Sequence, residues 1–506
     1  MTGGERQIRS SQPDRRRYRS PAQRSTEPIG THMTDTLSPP DIAGVAPVSS
    51  ITAEEPQKLK RSIGVAGGTL LTLSCLTPAS SLFVLVPGSF AVLGTGTALT
   101  LAIAMVLCIG VAFCYSELGT LIPSAGGEYA MAGSTLGKGA GWLAFIQALI
   151  VVMIVPPIIA LGTAQYLAPI VNVDPKLMGA GVMLLATVMG LLDLRANAWI
   201  TGFFLCLEVV ACAVVSVLGF AHSNRAASVM LHPALVGAHG GMSAVTTGTV
   251  IAGLATALFI TQGFSTAVYL SEEMERPSRT VPRTVLWTLG IGSAVILVPT
   301  IAITLGAPSM SALDAGDIGG MVTAWSNTTI GNFVSLCIAL AIINAAIVMV
   351  IQNSRVLYSS ARDHAWPAPI NRAFSDLSKK YGSPWISTLA VGVPGAVLCF
   401  VPVATLTNVT GVAVTLLYGF VAVAALAARR GAHRTNKAAW RMPLWPAIPV
   451  LVLAVLGYVL YTQAVSDLLI TGGITAVSLL YWFFYLRPRA ETRWIITVPE
   501  DEQPAA

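Results

Sequence analysis

From Gly64 onward, apolar residues run in blocks separated by short stretches of Gly, Pro and charged residues. Blocks of about 17 to 25 apolar residues are long enough to carry a helix across a hydrocarbon core. Twelve blocks qualify, at Gly64–Gly88, Thr95–Leu118, Trp142–Tyr166, Lys176–Leu192, Ala198–Ala221, Thr247–Ser271, Val285–Gly306, Ile330–Tyr358, Trp385–Val401, Leu406–Ala428, Trp445–Ala464 and Leu468–Leu486. The pattern predicts an all-α membrane protein of twelve spans. The ninth and tenth are parted only by a few residues around Pro402.

Two blocks are interrupted in the middle. The first contains "TLSCLTPASSLFVLVP" (Thr72–Pro87), with Thr77, Pro78, Ser80 and Ser81 near its centre. Pro78 has no N–H, and its ring clashes with the carbonyl four residues back. In hydrocarbon each orphaned backbone group costs several kcal/mol. The sixth block, "LATALFITQGFSTAVYLSEEMERPSRTVPRT", places Thr261, Gln262, Gly263 and Ser265 nearly in a row. Glycine admits backbone shapes other residues resist. A polar helix–helix contact explains one such break taken alone. A matched pair, at corresponding places in two five-span halves, points to the binding site of a secondary transporter. Irregular backbone at membrane depth is tolerated where it lines a cavity. Half-helix N-termini favour an anion and C-termini a cation. A zwitterion such as an amino acid satisfies both.

Charge tests the span count. With both termini inside, 28 of the 30 Lys and Arg fall on the cytosolic side, and only Lys176 and Arg225 fall outside. Cytosolic loops carry such an excess, and one missed span would reverse the sign of every later loop. The net charge of +6 thus reflects topology, and nothing suggests nucleic-acid binding. Composition agrees: 54% of residues are hydrophobic, 11% are charged, and the mean hydropathy is +0.69. Soluble domains carry about a quarter charged residues. The seven cysteines lie in apolar runs without paired spacing and read as reduced packing residues. Residues 1–60 are polar and rich in Pro and Arg, as expected of a disordered cytosolic tail, and Met33 is an alternative start.

One ionisable residue falls deep inside a span. "FFLCLEVVACAVV" puts Glu208 near the midpoint of the fifth. A charge there costs about 2.5–3.5 kcal/mol on the insertion scale, so it reads as functional by default. Desolvation favours the protonated carboxyl, which could load a proton on one side and release it on the other. The alternatives are a permanently protonated, hydrogen-bonded Glu or a contact to a substrate amine. Sodium coupling has less support. Sodium wants a shell of oxygen ligands, and Leu336–Ile351 in the eighth span holds no Ser or Thr. Its one polar side chain, Asn344, either lines the site or bonds a neighbouring helix. His222, His232 and His239 lack metal-ligand spacing. "GSTLGKGAG" lacks the P-loop gap, and no GxSxG or HExxH occurs. No enzyme activity, cofactor or metal is expected.

Four blocks resemble the amino acid–polyamine–organocation permeases: "ELGTLIPSAGGEYAMAGSTLG" (Glu117–Gly137), "FITQGFSTAVYLSEEMERPSRTVPRTV" (from Phe259), "NSRVLYSSARDHAWP" (Asn353–Pro367) and "ASSLF" (Ala79–Phe83). The resemblance implies a five-plus-five inverted-repeat fold with broken helices 1 and 6. Its core would span residues 61–430, with repeats at about 64–221 and 247–428. Two additional helices would occupy 431–488, and a cytosolic tail 489–506. It implies that backbone N–H groups of Ala79, Ser80 and Ser81 hold a substrate carboxylate. Carbonyls near Thr77, Ile260 and Thr261 would receive its amine, with Phe259 as the aromatic gate and Pro78, Gln262 and Gly263 completing the site. Two departures stand out. The family's glycines are Ala79 and Ser81 here, and the residue after "GF", often acidic, is Ser265. The second departure argues against a dication such as a polyamine. Proton-coupled relatives often carry a lysine where this chain has Glu208.

The expectation is a multi-pass permease of the cytoplasmic membrane, with cytosolic termini. It would move an amino acid or related small amine by alternating access, linked to proton import. Exchange, a polyamine, organocation or GABA substrate, and a non-transporting nutrient sensor of the same fold remain alternatives. Partners are the small-molecule substrate, the proton and membrane lipid, with no oligomeric state fixed.

Overall fold

The computed structural model describes residues 63–124, 126–168, 171, 173–192, 198–236, 241–431 and 438–496. The expected disordered tail, Met33, His239 and residues 497–506 lie outside these. Helices of twelve residues or more are α1 (Val65–Leu76), α2 (Thr97–Leu121), α3 (Lys138–Leu167), α4 (Pro175–Leu191), α5 (Ala198–Ala221), α6 (Thr247–Ile260), α7 (Pro277–Gly306), α8 (Thr328–Arg362), α9 (Trp385–Leu398), α10 (Val403–Ala428), α11 (Ala447–Tyr461) and α12 (Val465–Tyr481). Among the described residues, eight helical stretches are long and apolar enough to cross a membrane. The first, Val65–Leu121, covers the first two expected spans in one run of 57 residues. The expected fourth, ninth and eleventh spans are the shorter apolar helices α4, α9 and α11. The protein is a multi-pass membrane protein. Large apolar side chains such as Val106, Phe203, Phe333 and Leu469 are exposed on its outer faces, where lipid replaces water as solvent.

Two groups of helices pack together. α7 lies against α1, α2 and α5; α3 lies against α4 and α8, and α4 also packs on α9. α10 touches both groups, through α2 and α6 on one side and α3 on the other. The interior carries many hydroxyls, which fold back on their own helices. Thr300, Thr304, Thr410 and Thr415 each donate to the carbonyl four residues earlier, at 2.7–2.8 Å. That satisfies the hydroxyl without a partner from another helix.

Polar clasps hold one end of the bundle. Glu117, at the end of α2, is 2% exposed. It accepts from Arg429 Nε at 2.5 Å, Arg429 Nη2 at 2.8 Å and the Met442 backbone N–H at 3.0 Å. This forked pair is the strong geometry for a guanidinium and a carboxylate. Arg429 also lies over the Trp445 ring, 5.1 Å from its centroid. The chain after α12 folds back across α3 and α8. Fully buried Trp494 donates to the Lys138 carbonyl at 3.1 Å, and the Ile495 N–H donates to the Asp363 carbonyl at 3.1 Å. Ile63, just before α1, exchanges backbone hydrogen bonds with the end of the sixth segment: to the Glu273 carbonyl at 3.1 Å and from the Glu275 N–H at 2.9 Å.

Candidate functional site

Both interruptions read from the sequence are present in the backbone. α1 stops at Leu76 because Thr77 takes a left-handed conformation, φ 45° and ψ 69°. A residue before proline is disfavoured in the right-handed helical region. Pro78 then opens a short helix, Pro78–Ser80, where its missing N–H is no loss. A π-helical turn follows at Ser81–Leu85. The second break is longer. α6 ends at Ile260, a turn runs over Thr261–Gly263, and a 3-10 helix carries the chain from Phe264 to Glu273. Gly263 has φ 125°. A Cβ added there would lie 2.8 Å from the Cα of Leu76. The two breaks therefore touch, backbone to backbone, at a position only glycine fits.

Between them lies a small cavity of about 20 Å³, whose lining includes Thr77, Ser81, Phe259 and Gln262. It has room for roughly one water. A second cavity of about 300 Å³ adjoins it, sharing Cys75, Val155, Gln262 and Met349. That larger space, the vestibule, reaches the exposed arginines Arg355 and Arg362 and includes Gly263, Glu128, Tyr269 and Glu273. Its volume lies at the lower end of the range for small-molecule sites.

The remaining expected residues are placed as follows. Pro78, Ala79, Ser80, Ile260 and Thr261 are buried at the breaks and line neither cavity. Of the three N–H groups implied to hold a carboxylate, two are occupied in this conformation. Ala79 donates to Glu208 Oε2 at 3.4 Å, and Ser81 donates to the Thr77 carbonyl at 3.0 Å. The hydroxyls of Thr77 and Ser80 are buried with no hydrogen-bond partner. Thr261 Oγ1 donates to the carbonyls of Ala257 and Leu258, both at 3.1 Å. Asn344 is half-buried and lines neither cavity.

Glu208 sits on α5 and is 3% exposed. Its carboxyl group reaches the first break, where Pro78 cannot donate to Ser74 and the Ala79 N–H turns to Glu208. A carboxylate of the protein thus stands at the backbone donor that the resemblance assigns to the carboxylate of a substrate.

The breaks, the shared cavity and the long apolar helices set the frame for comparison with known proteins. The amino acid permease family matches residues 63–486. The chain belongs to that family. It is 20% identical over 460 residues to the methylthioribose transporter of Bacillus subtilis, covering 86% of this chain and 94% of the relative. It is 25% identical over 445 residues to the branched-chain amino acid permease BcaP of Lactococcus lactis, covering 83% and 91%. It is 24% identical over 385 residues to the vacuolar cationic amino acid transporter 8 of Arabidopsis thaliana, covering 71% of this chain and 62% of the relative. The family and these relatives are permeases and transporters rather than enzymes.

Two side chains that line or close the site were missed in the sequence. Glu128 stands in the "AGGEY" block, read there only as a family signature. It lies on the short helix Gly127–Leu136, 2% exposed, in the wall of the vestibule. Cys75 was read as packing, yet it lines both cavities. Neither carries a local signal, because the vestibule wall is assembled from segments far apart in the chain.

Proposed function

We propose that this permease is a secondary transporter of an amino acid or related small amine, working by alternating access and coupled to proton import. The observation that carries this is the contact of the two broken helices around one small cavity that adjoins a vestibule. A site of about 20 Å³ is too small for an amino acid, so a substrate enters only as the breaks part. We read the fold as two five-span inverted repeats with two added spans. In this reading Val65–Leu121 crosses twice, and α4, α9 and α11 each cross once. We read the termini and the end of α8, which carries Arg355 and Arg362, as cytosolic, so the vestibule faces inward.

Glu208 supplies a physical route to coupling. Ionised, its carboxylate competes with a substrate carboxylate for the Ala79 N–H. Protonated, it is a weaker acceptor and leaves that donor to the substrate. Substrate and proton then bind together and leave together. Glu208→Gln fixes the neutral state. Net uptake should lose its dependence on pH, whereas exchange of substrate across preloaded liposomes should persist. Unchanged pH dependence in this variant would remove Glu208 from the coupling.

The function is tested by reconstitution in liposomes with an inside-alkaline gradient and no sodium. Labelled neutral, acidic, basic and aromatic amino acids, GABA, choline and putrescine would be offered. The expected result is accumulation of an amino acid that a protonophore abolishes. Exchange without net uptake would make the protein an antiporter. Silence toward every substrate would favour a sensor.

A further inference from the structure

The vestibule contains a carboxyl group that none of the preceding chemistry uses. Glu128 is 2% exposed and lines the cavity wall. Its Oε1 accepts from the Tyr115 hydroxyl of α2 at 3.0 Å. Its Oε2 is buried and has no hydrogen-bond partner of good geometry. The hydroxyls of Tyr269 and Ser265, from the 3-10 segment, flank the group. Ser265 Oγ is itself buried and unpartnered.

Among the described residues no cation pairs with Glu128. The vestibule arginines are elsewhere engaged or at its rim: Arg362 lies 3.7 Å from Asp363, and Arg355 is exposed. The other titratable groups near this carboxyl are Tyr269 of the 3-10 segment, Tyr418 of α10 and Tyr129 beside Glu128 itself, and Glu273 lines the same cavity. Next to the carboxyl, then, are the hydroxyls of Tyr115, Tyr269 and Ser265, and among the described residues no positive charge pairs with it. A buried carboxylate with an orphan oxygen is stable only when protonated or when a cation reaches it. Burial raises the Glu128 carboxyl above its ordinary value, against smaller opposing contributions from the neighbouring Tyr269 hydroxyl, its own backbone, and the Tyr115 and Ser265 hydroxyls.

We propose that Glu128 is a cation subsite of the vestibule, which receives an ammonium group on the distal end of a substrate. The proposal rests on the transporter reading above and adds a substrate class to it: molecules that carry a positive charge beyond the amino acid head group. When such a group arrives, Glu128 gives its proton to vestibule water and forms a charge-assisted bond through Oε2. An apolar side chain of the same length finds the carboxyl neutral and gains nothing from it. The absence of an acid at position 265, which argues against a dication on sequence grounds, is offset by a carboxyl delivered to the same place from position 128.

The test uses L-lysine and L-norleucine, which differ by the terminal ammonium. Their affinities for the purified full-length protein are measured by ligand-induced thermal shift, for the wild type, Glu128→Gln and Glu128→Asp. The wild type should favour lysine by at least about tenfold. Glu128→Gln should lose that preference and hold norleucine as before, and Glu128→Asp should keep part of it. Retained norleucine binding shows that the Gln variant is folded. Equal affinities in the wild type, binding of neither probe, or a lysine preference that survives Glu128→Gln would overturn the subsite. So would a parallel loss of both ligands, which marks a structural role. Uptake of neutral amino acids in liposomes judges the transporter reading separately: if it persists while the lysine preference is absent, only the subsite fails.

Discussion

The two helix breaks solve the same problem by different means. The first is abrupt. One residue, Thr77, turns left-handed, and Pro78 restarts the helix at once. The second is gradual: a three-residue turn, a glycine at φ 125°, and ten residues of 3-10 helix before α7. A proline break frees a carbonyl by removing a donor. A glycine break allows the chain to change direction and lets another backbone approach. The first segment therefore presents fixed donors and acceptors, two of which the protein itself occupies. The second brings Gly263 onto Leu76 and spreads Gln262, Thr266 and Tyr269 along the vestibule. We take the first break as the holding element and the second as the one that yields.

That contrast can be broken by substitution. The largest effect is expected at Gly263→Ala. The backbone there is in a region closed to side chains, at a cost of about 1–3 kcal/mol, and the added methyl strikes Leu76. Uptake should fall by about a hundredfold or more, since small misplacements at a site cost that much. Wild-type uptake would show that the breaks need not touch. Pro78→Ala should have a smaller effect. It returns an N–H that can bond the Ser74 carbonyl and lets the helix run through. Uptake should drop about tenfold, equivalent to ~1.4 kcal/mol, while thermal stability rises. The smallest effect belongs to Thr77→Gly. Glycine relieves a left-handed conformation worth about 1–2 kcal/mol and removes only an unpartnered hydroxyl. Uptake should stay within about twofold, a scale on which most single contacts would show. A tenfold loss would instead assign the Thr77 hydroxyl to substrate.

Much of this was legible in the residue pattern. Most apolar blocks map onto helices within a few residues, because hydrocarbon leaves a backbone little choice but the helix, although α7 begins eight residues before its block. Pro78 and Gly263 marked both breaks, since each acts through its own covalent geometry. What long-range packing decides was not legible. That Gly263 meets Leu76, that Glu208 reaches Ala79, and that Arg429 pairs with Glu117 across 312 positions all depend on how helices are arranged. Arg429 had entered only as one more cytosolic charge. Glu128 was hidden in the same way, as a polar residue between spans that the fold turns inward. Three of the apolar blocks, those of α4, α9 and α11, form shorter helices of 14 to 17 residues, because apolar length alone does not fix where a helix ends.

The central claim is that a small molecule sits where the two breaks meet, and Cys75 offers the most direct probe of it. Its side chain lines both the small cavity and the vestibule. In a variant with Cys206 and Cys337 replaced by Ser, alkylation of Cys75 by a membrane-permeant maleimide can be followed by mass spectrometry in liposomes. The account predicts that the amino acid the protein accumulates slows this reaction, with half-protection near the concentration that half-saturates uptake, and that an amino acid it does not accumulate has no effect. Alkylation at one rate with and without that substrate would contradict the account.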